Sequence, residues 1–567
     1  MPVFELIALA VLAFYFSILT TVLILIKKHI YFLYIWQWKE YRLDKFLDLV
    51  TSPKFSAVFL DWFTKCRIFA LLILLLNIIL GFLNTDYLLI TYLFIIGISI
   101  LELAIFARQI IQKRALLPKF SFKLLGISGL AVLFNIVGLL SIAVLSLRFY
   151  SSGFILALLI SLLVATLATP LVTGVSILAL FPLDYLLKER IFRKAKAYRQ
   201  KLHNLKVVGI SGSYGKSSTK EILSFLLSSK FKTEKTFQNH NSTLAVARKI
   251  LNLEADADIF ISEIGAYHQG DGIEQCQFSL PNTAIITGLN NQHFALFGGK
   301  NQIIAAESES LQFLKAGDFA IINYESPWCK EINIPEGIKL IKYGFSPEAD
   351  LRAEIIKMDV SGTVFQVFWE NQSHTFATNL TTAGNVQNIL AALACCLVYG
   401  FNLQEMTDLL TNLPLPNGTL NIIEKKYGYI IDDSHNANLD GVLNSLNLVQ
   451  SFDGKKIVFL DDIAELGNEA VKSHIAIAES LNKINLDLLI LVGQNYSQII
   501  ADRLLELGFD TNKIIYGSLG GKLIQARFDQ VIGPDWVTAN QAGSKTGTEI
   551  VKTVILYQGF GTRKFVG

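Results

Sequence analysis

The sequence reads as an α-helical membrane region followed by α/β units. Three observations point there: long apolar runs crowd before Lys188, basic residues fall in alternate connections between them, and after Lys206 short β-rich runs alternate with helical stretches. The chain has 567 residues, 52% hydrophobic and 17% charged, whereas a soluble domain is about 25% charged. That balance excludes a disordered chain, a collagen-like fibre and a small disulfide scaffold. A formal net charge of +3 argues against a nucleic-acid partner. The cysteines (Cys66, Cys276, Cys329, Cys395, Cys396) are odd in number and show no C-x-x-C spacing. They read as reduced, mostly core residues of a cytosolic compartment.

A membrane-spanning helix needs about 20 apolar residues, because its backbone must satisfy itself in hydrocarbon. Phe4–Ile26, Ile68–Leu83, Tyr87–Ala107 and Leu124–Leu147 meet or approach that length. Phe154–Leu180 is a fifth run, interrupted by Pro170, and is either one kinked helix or a helix with a re-entrant turn. The first run has no basic region before it and no small-residue cleavage site after it, so it reads as an anchor. Basic residues gather at Lys27–Arg67, Arg108–Lys123 and Lys188–Lys201, while the alternate connections hold only Arg148. The positive-inside rule then gives five crossings, an outside amino terminus and a cytoplasmic remainder, in the plasma membrane. Tyr31–Phe63 mixes aromatic with basic residues and reads as an interfacial helix; the alternative is a soluble loop. Glu102, inside the third span, marks a polar site or snorkels to the interface. The membrane region is thus 1–190.

Beyond it, Val207–Ile210, Ile259–Ser262, Thr283–Thr287, Phe319–Asn323, Ile457–Leu460 and Leu488–Val492 read as strands among helices, the pattern of largely parallel sheets. The polar turn Leu413–Gly418 separates domains at 205–413 and 418–560. Val207–Ser211 is followed by Gly212-Ser-Tyr-Gly-Lys-Ser-Ser218 and a helical stretch. Glycines let backbone N–H groups approach a phosphate, a helix amino terminus favours negative charge, Lys216 neutralises outer phosphates, and Ser217 can ligate Mg²⁺. The long form G-x-x-x-x-G-K-[ST] is missed by one residue; the shorter G-x-x-G-K-[ST] is met.

Gly209–Glu221 resembles the phosphate loop of the Mur ligases, ATP-dependent amide-forming enzymes of peptidoglycan synthesis, above all the branch that adds D-alanyl-D-alanine. Glu263-Ile-Gly-Ala-Tyr-His-Gln-Gly270, Ala284–Thr287 leading to His293, Ile322-Asn323, Asn385-Val-Gln-Asn388, Asp432-Asp-Ser-His-Asn-Ala-Asn438 and Glu465-Leu-Gly467 with His474 follow in that family's order. The likeness covers about Leu205–Lys552. It implies a P-loop-type central domain and a smaller Rossmann-like C-terminal domain, with ATP and Mg²⁺ as cofactors. It also implies roles: Gly212, Ser213, Gly215, Lys216, Ser217 and Ser218 around the phosphates; Ser217 and Glu263 on one Mg²⁺; His293 on a second cation. Asn388 would contact adenine and Asp433 the ribose, with Asn436 beside it; Asn436 and Asn438 also suit local turns.

Several positions depart from the family pattern. Glu307 stands where many Mur ligases carry a carbamoylated lysine and would supply its negative charge; the alternative is a helix residue facing outward. Gly384 replaces a frequent His, Thr419 a Gly-Arg, His435 a tyrosine, and Asn241-Ser-Thr243 an Asn-x-x-Gly. Gly543-Ser-Lys545 with Glu549 resembles the closing Gly-Ser-Arg turn, making Lys545 a candidate for gripping the incoming carboxylate. The resemblance therefore implies a ligase joining an amino acid or dipeptide to a cell-wall precursor through an acyl phosphate, with Lys216, Glu263, His293 and Glu307 in the chemistry. The precursor is nucleotide-linked or lipid-linked; alternatively the membrane part only places the enzyme against the bilayer beside other wall-synthesis proteins. A transporter or anchor with a regulatory nucleotide-binding module is the competing class, and a degenerate ligase that only binds nucleotide is a third.

Overall fold

In the computed structural model the described residues are 3–39, 41, 43, 46, 58–79, 85–112, 115–149, 154–237, 241–266, 269–290, 297–359, 361–414, 420–425, 428–434, 438–463, 466, 469–493, 495–516, 530–531 and 553–558. The chain divides into two compact units, Met1–Lys188 and Glu189–Gly567.

Five long helices build the first unit: α1 (Val3–Trp38), α2 (Trp62–Ile79), α3 (Thr85–Ile111), α4 (Phe122–Phe149) and α5 (Phe154–Lys201). Each coincides with one of the five apolar runs. Their exterior is apolar, and small polar residues share the interior with apolar clusters. Ser17, Thr20, Thr21, Thr166, Thr169 and Thr173 are buried, while Leu12, Phe16, Leu72, Leu133 and Leu140 are exposed. Small polar residues at helix contacts and large apolar ones outside are what packing in hydrocarbon favours. Among the described residues, Val11–Trp38, Leu89–Ile111 and Leu159–Lys201 are long and apolar enough to cross a membrane.

Two expectations are refined. α5 runs as one helix through Pro170, with no re-entrant turn. Pro170 cannot donate to the carbonyl of Thr166; the Thr169 hydroxyl donates to it at 3.1 Å instead. Tyr31–Trp38 is the continuation of α1, not a separate interfacial helix. Its Trp36 is buried and stacks on Phe46 at 4.0 Å, within an apolar cluster that includes Leu124 and Ile177. Residues 47–57 of that segment lie outside the described residues.

The second unit opens on the end of α5. Arg199, grouped with the loop charges above, is buried and donates to the carbonyls of Leu202, Leu205 and Ser279. A nine-stranded sheet follows, in the order β2-β3-β1-β4-β5-β6-β7-β8-β9. Its strands are β1 (Lys206–Ser211), β2 (Thr233–Lys235), β3 (Ile259–Glu263), β4 (Thr283–Ile286), β5 (Phe319–Asn323), β6 (Lys339–Gly344), β7 (Leu351–Asp359), β8 (Gly362–Trp369) and β9 (Gln372–Thr378). Pairing is parallel from β2 through β7 and antiparallel for β7-β8-β9. The parallel strands are continuous apolar runs because both faces are covered. One face carries α6 (Lys216–Leu227) and α10 (Ala383–Val398, the tenth helix in chain order), whose Ile222, Leu223, Leu226, Ile389, Leu390 and Leu393 join one core. Between them in sequence lie α7 (Thr243–Leu251), α8 (Asp271–Ser279) and α9 (Lys300–Glu307).

After α11 (Thr407–Thr411) a second sheet begins, ordered β10-β11-β15-β12-β13-β14. These strands are β10 (Asn421–Lys425), β11 (Gly428–Asp433), β12 (Lys455–Leu460), β13 (Leu488–Leu491), β14 (Ile514–Tyr516) and β15 (Thr553–Gln558). All pairings but β10-β11 are parallel. Helices α12 (Leu439–Gln450), α13 (Ala470–Asn482) and α14 (Ser497–Glu506) pack through Leu446, Ile477 and Leu504 into its core. Four of the five cysteines are buried, and all five are free thiols.

Candidate active site

Strand order places the site. β1 leads to β2 and β3 on one side, and the chain then crosses to β4 on the other. In open parallel sheets such a switch opens a crevice beyond the carboxyl ends of the strands, where ligands bind. The residues there are Ser211 ending β1, Gly212–Lys216 after it, Glu263 ending β3, Thr287 after β4 and Asn323 ending β5.

The loop after β1 needs its glycines. Gly212 (φ 135°) and Gly215 (φ 79°) adopt backbone that side chains rarely allow. A Cβ at Gly212 would lie 2.4 Å from Thr287 Oγ1, and one at Gly215 would lie 2.4 Å from Asn388 Oδ1. Ser213 N donates to Gly288 O at 2.8 Å. Helix α6 starts at Lys216 with no side-chain cap, so its first N–H groups are directed at the crevice. Lys216 Nζ folds over the loop and donates to Gly212 O. Ser218 is buried in the first turn.

Glu263 is the ionic centre. It is 2% exposed, and Ser217 Oγ lies 3.1 and 3.0 Å from its two carboxylate oxygens. Lys220, fully buried, reaches Oε2 at 3.0 Å, and Asn241 Nδ2 reaches Oε1 at 3.3 Å. Octahedral Mg²⁺–oxygen bonds of 2.0–2.1 Å imply neighbouring ligand oxygens about 2.9 Å apart. The Ser217–Glu263 spacing fits that edge, and the donors are the hard oxygens Mg²⁺ prefers. Among the described residues no group of three or more His, Cys, Asp or Glu side chains gathers as a metal cluster. His293 lies outside the described residues.

Glu307 does not face outward. It ends α9, is 2% exposed, and its Oε2 accepts from Ser211 Oγ and, at 2.7 Å, from Gly212 N. A negative charge is thereby fixed against the start of the phosphate loop. Asn388 sits on α10, its Oδ1 accepting from Thr219 Oγ1 at 3.3 Å.

Asp433 stands apart from this cluster, at the carboxyl end of β11. Its Oδ2 accepts from Ser445 Oγ at 2.6 Å, and burial pushes its carboxyl from 3.8 up to about 7. The first sheet's crevice meets the second domain at Asn290, whose Nδ2 donates to Asp440 Oδ2 at 2.7 Å and whose N donates to Ser213 Oγ at 3.3 Å. Asn438 is a helix cap, accepting from Gly441 N at 2.9 Å. His474 is buried and structural: Nε2 accepts from Ile463 N, so Nδ1–H donates to Ala470 O at 2.7 Å. Burial lowers its pKa and keeps the ring neutral. Gly384 lies beside Asn444. Asn436, Thr419, His435 and Lys545 are outside the described residues.

The sequence reading gave no role to Lys220, Asn241, Thr287 or Asn323. Asn323 Nδ2 donates to Thr287 O at 2.7 Å and holds the end of β4 in place. A signal existed for Lys220, one helical turn after Lys216, on the side of α6 that faces β3.

A glycine cradle at a helix start, a lysine over it and a buried carboxylate on the next strand define a phosphate-loop nucleotide-binding α/β fold. The Mur ligase middle-domain family model matches residues 210–396, and this chain carries a Mur ligase middle domain. The UDP-N-acetylmuramoyl-tripeptide–D-alanyl-D-alanine ligase of Escherichia coli K12 is 28% identical over 294 residues, 51% of this chain and 65% of that protein. This chain thus spans less than two thirds of that relative. The structure of MurF from Acinetobacter baumannii superposes with a TM-score of 0.58 at 25% identity, covering 67% of this chain and 79% of that one. MurF of Thermotoga maritima, solved in complex with ADP, shares the fold with a TM-score of 0.54 at 24% identity, covering 66% of this chain and 81% of that one.

Proposed function

We propose that the chain is an ATP- and Mg²⁺-dependent ligase of the D-alanyl-D-alanine-adding type. It would act on a peptidoglycan precursor, with domains at 205–413 and 418–560 and a membrane region at 1–190. The observation that carries this reading is the grouping of Lys216, Ser217, Lys220, Glu263 and Glu307 around one phosphate loop.

Phosphoryl transfer is mainly positioning and neutralisation of spread charge. The precursor carboxylate attacks the γ-phosphorus of ATP, the β–γ bridging bond breaks, and ADP leaves. The amine of the incoming amino acid or dipeptide then attacks the acyl carbon, expelling phosphate and losing a proton. Lys216 and the α6 amino terminus hold the phosphates. Ser217 and Glu263 would hold Mg²⁺, which supplies charge neutralisation at the phosphate oxygens. Lys220 holds the Glu263 carboxylate in position, and Glu307 holds Ser211 and Gly212 in place. Asp433, from the second domain, would take the ribose; His293 and Asn436 complete the proposed site.

The helical unit is proposed to span the plasma membrane with the ligase on the cytoplasmic face, supported by its apolar exterior and by the loop charges. The proposed substrates are a muramoyl-peptide precursor, linked to a nucleotide or a lipid, and D-alanyl-D-alanine or a related amine. The test is phosphate release by the full chain, with donor and acceptor varied and product mass measured. Release only when both carboxylate and amine are present is expected; release independent of them would leave a nucleotide-binding module and refute the ligase.

Two further outcomes follow. Glu307→Ala removes the acceptor for two buried donors, each left unpaired at about 1–3 kcal/mol. The Mg²⁺ concentration for half-maximal rate is expected to rise, and Glu307→Gln, which keeps the acceptor but not the charge, separates loop support from electrostatics; unchanged Mg²⁺ kinetics in both would remove Glu307 from the site. For Asp433, only the ionised carboxylate offers both oxygens as acceptors to ribose hydroxyls. Because its pKa is about 7, KM for ATP should fall several-fold from about pH 6 to about pH 8, and Asp433→Asn should flatten the profile. The sign for folding is opposite: the folded carboxyl holds its proton longer than the unfolded one, so stability from this group falls as pH rises from 3.8 toward about 7.

A further inference from the structure

The helical unit contains a cavity of ≈ 400 Å³ with a mixed lining. Lys27, Lys28, Asp61, Thr64 and Glu102 contribute ionic and polar groups, and Phe32, Phe59, Phe106, Leu167 and Pro170 contribute apolar surface. Ion pairs fix the polar groups. Glu102, 1% exposed, is shared by Lys27 Nζ and Arg67 Nη2, each at 2.5 Å. Asp61 Oδ1 accepts from Thr64 N at 2.8 Å, at the start of α2. Lys28, 9% exposed, donates to the neutral Thr64 hydroxyl at 2.8 Å.

Among the described residues, three cations, Lys27, Lys28 and Arg67, therefore stand against two carboxylates, Asp61 and Glu102. An ammonium carries three donors, and among the described residues Lys28 has only the Thr64 hydroxyl as side-chain partner. Arg67 Nη1 is buried without a hydrogen-bond partner among the described residues. Uncompensated positive charge inside an apolar bundle is costly, and such residues pair with one another or mark a ligand path. The complement to these described groups is a single negative charge with several acceptor oxygens, and the apolar lining suits hydrocarbon.

We propose that this cavity binds the phosphate headgroup of an anionic lipid, with Lys28 on the phosphate oxygens and the first part of the chain against the apolar lining residues. The inference rests on the membrane reading of the helical unit and is independent of the ligase reading. A free phosphate would use the same cations but leave the apolar lining uncovered.

The test uses the full chain in nanodiscs of phosphatidylcholine alone or mixed with phosphatidylglycerol, followed by native mass spectrometry of retained lipid. Retention of one phosphatidylglycerol, and no phosphatidylcholine, is expected. Lys28→Met should reduce that retention about tenfold, whereas Lys119→Met, an exposed lysine of the same unit, should leave it unchanged. Equal retention of the two lipids overturns the site, and so does equal loss in both variants. Displacement by inorganic phosphate at concentrations comparable to the lipid reassigns it as a free-anion site. Failure to enter either nanodisc overturns the membrane reading and this site with it, while leaving phosphate release by the ligase domains as a separate measurement. Should Lys28→Met not insert, the comparison of the two lipids on the unaltered chain still decides.

Discussion

Lys216→Ala is expected to abolish acceptor-dependent phosphate release, with kcat reduced by at least about 10²–10³-fold, the usual loss when one preorganised charge is removed from a transition state. The reason is local. Lys216 is the first residue of α6 and donates to Gly212 O, so in the proposed site its ammonium would meet the outer phosphates of the nucleotide. No other cation described near the loop can replace it, because Lys220 is buried against Glu263. The substitution removes a half-exposed side chain and no core contact, so the folded chain should keep its thermal transition and its membrane insertion. Turnover within about tenfold of the unaltered protein would end the phosphoryl-transfer mechanism.

Glu263→Gln carries the second large effect, and it acts on two observables at once. The amide keeps the shape but loses the charge, so Mg²⁺-dependent turnover should fall below detection. It also takes the nearer carboxylate from the fully buried Lys220 ammonium, whose other carboxylate, Glu221, lies at 3.8 Å. Breaking a buried pair in this way costs about 3–5 kcal/mol, which should lower the denaturant midpoint of the domain that holds β3. The double change Lys220→Met with Glu263→Leu separates the two roles: an apolar pair of similar volume should recover most of the stability while activity stays absent. Recovery of activity in the double variant would show that Glu263 is only structural. A stable Glu263→Gln protein with normal Mg²⁺ dependence would contradict both roles.

The phosphate loop was legible because its parts are contiguous. Strand, glycines, Lys216, Ser217 and helix lie within one short stretch, and the backbone geometry that the glycines permit is a local property. The six strands expected from β-rich runs are all present, since parallel strands covered on both faces are apolar throughout. The hairpins β7-β8-β9 escaped because Lys, Asp, Gln and Thr interrupt their apolar residues, so they lack the continuous apolar runs by which the other strands were found. Arg199 counted in the sequence only as one of a run of basic residues; its burial among the carbonyls of Leu202, Leu205 and Ser279 is set by the fold.

The sequence alone determined the apolar spans, the α/β character of the remainder and the nucleotide-phosphate loop, since hydropathy and loop chemistry are read from neighbours along the chain. Tertiary structure alone decided which charges meet. Glu263 joins Lys220 across 43 positions, Glu307 reaches Gly212 across 95, and Glu102 meets Lys27 across 75. Such pairs are set by strand order and helix packing, and a carboxylate in sequence looks the same whether it ends in water or against a buried ammonium. The burial that distinguishes the two cases, and with it the chemistry, exists only once the chain is folded.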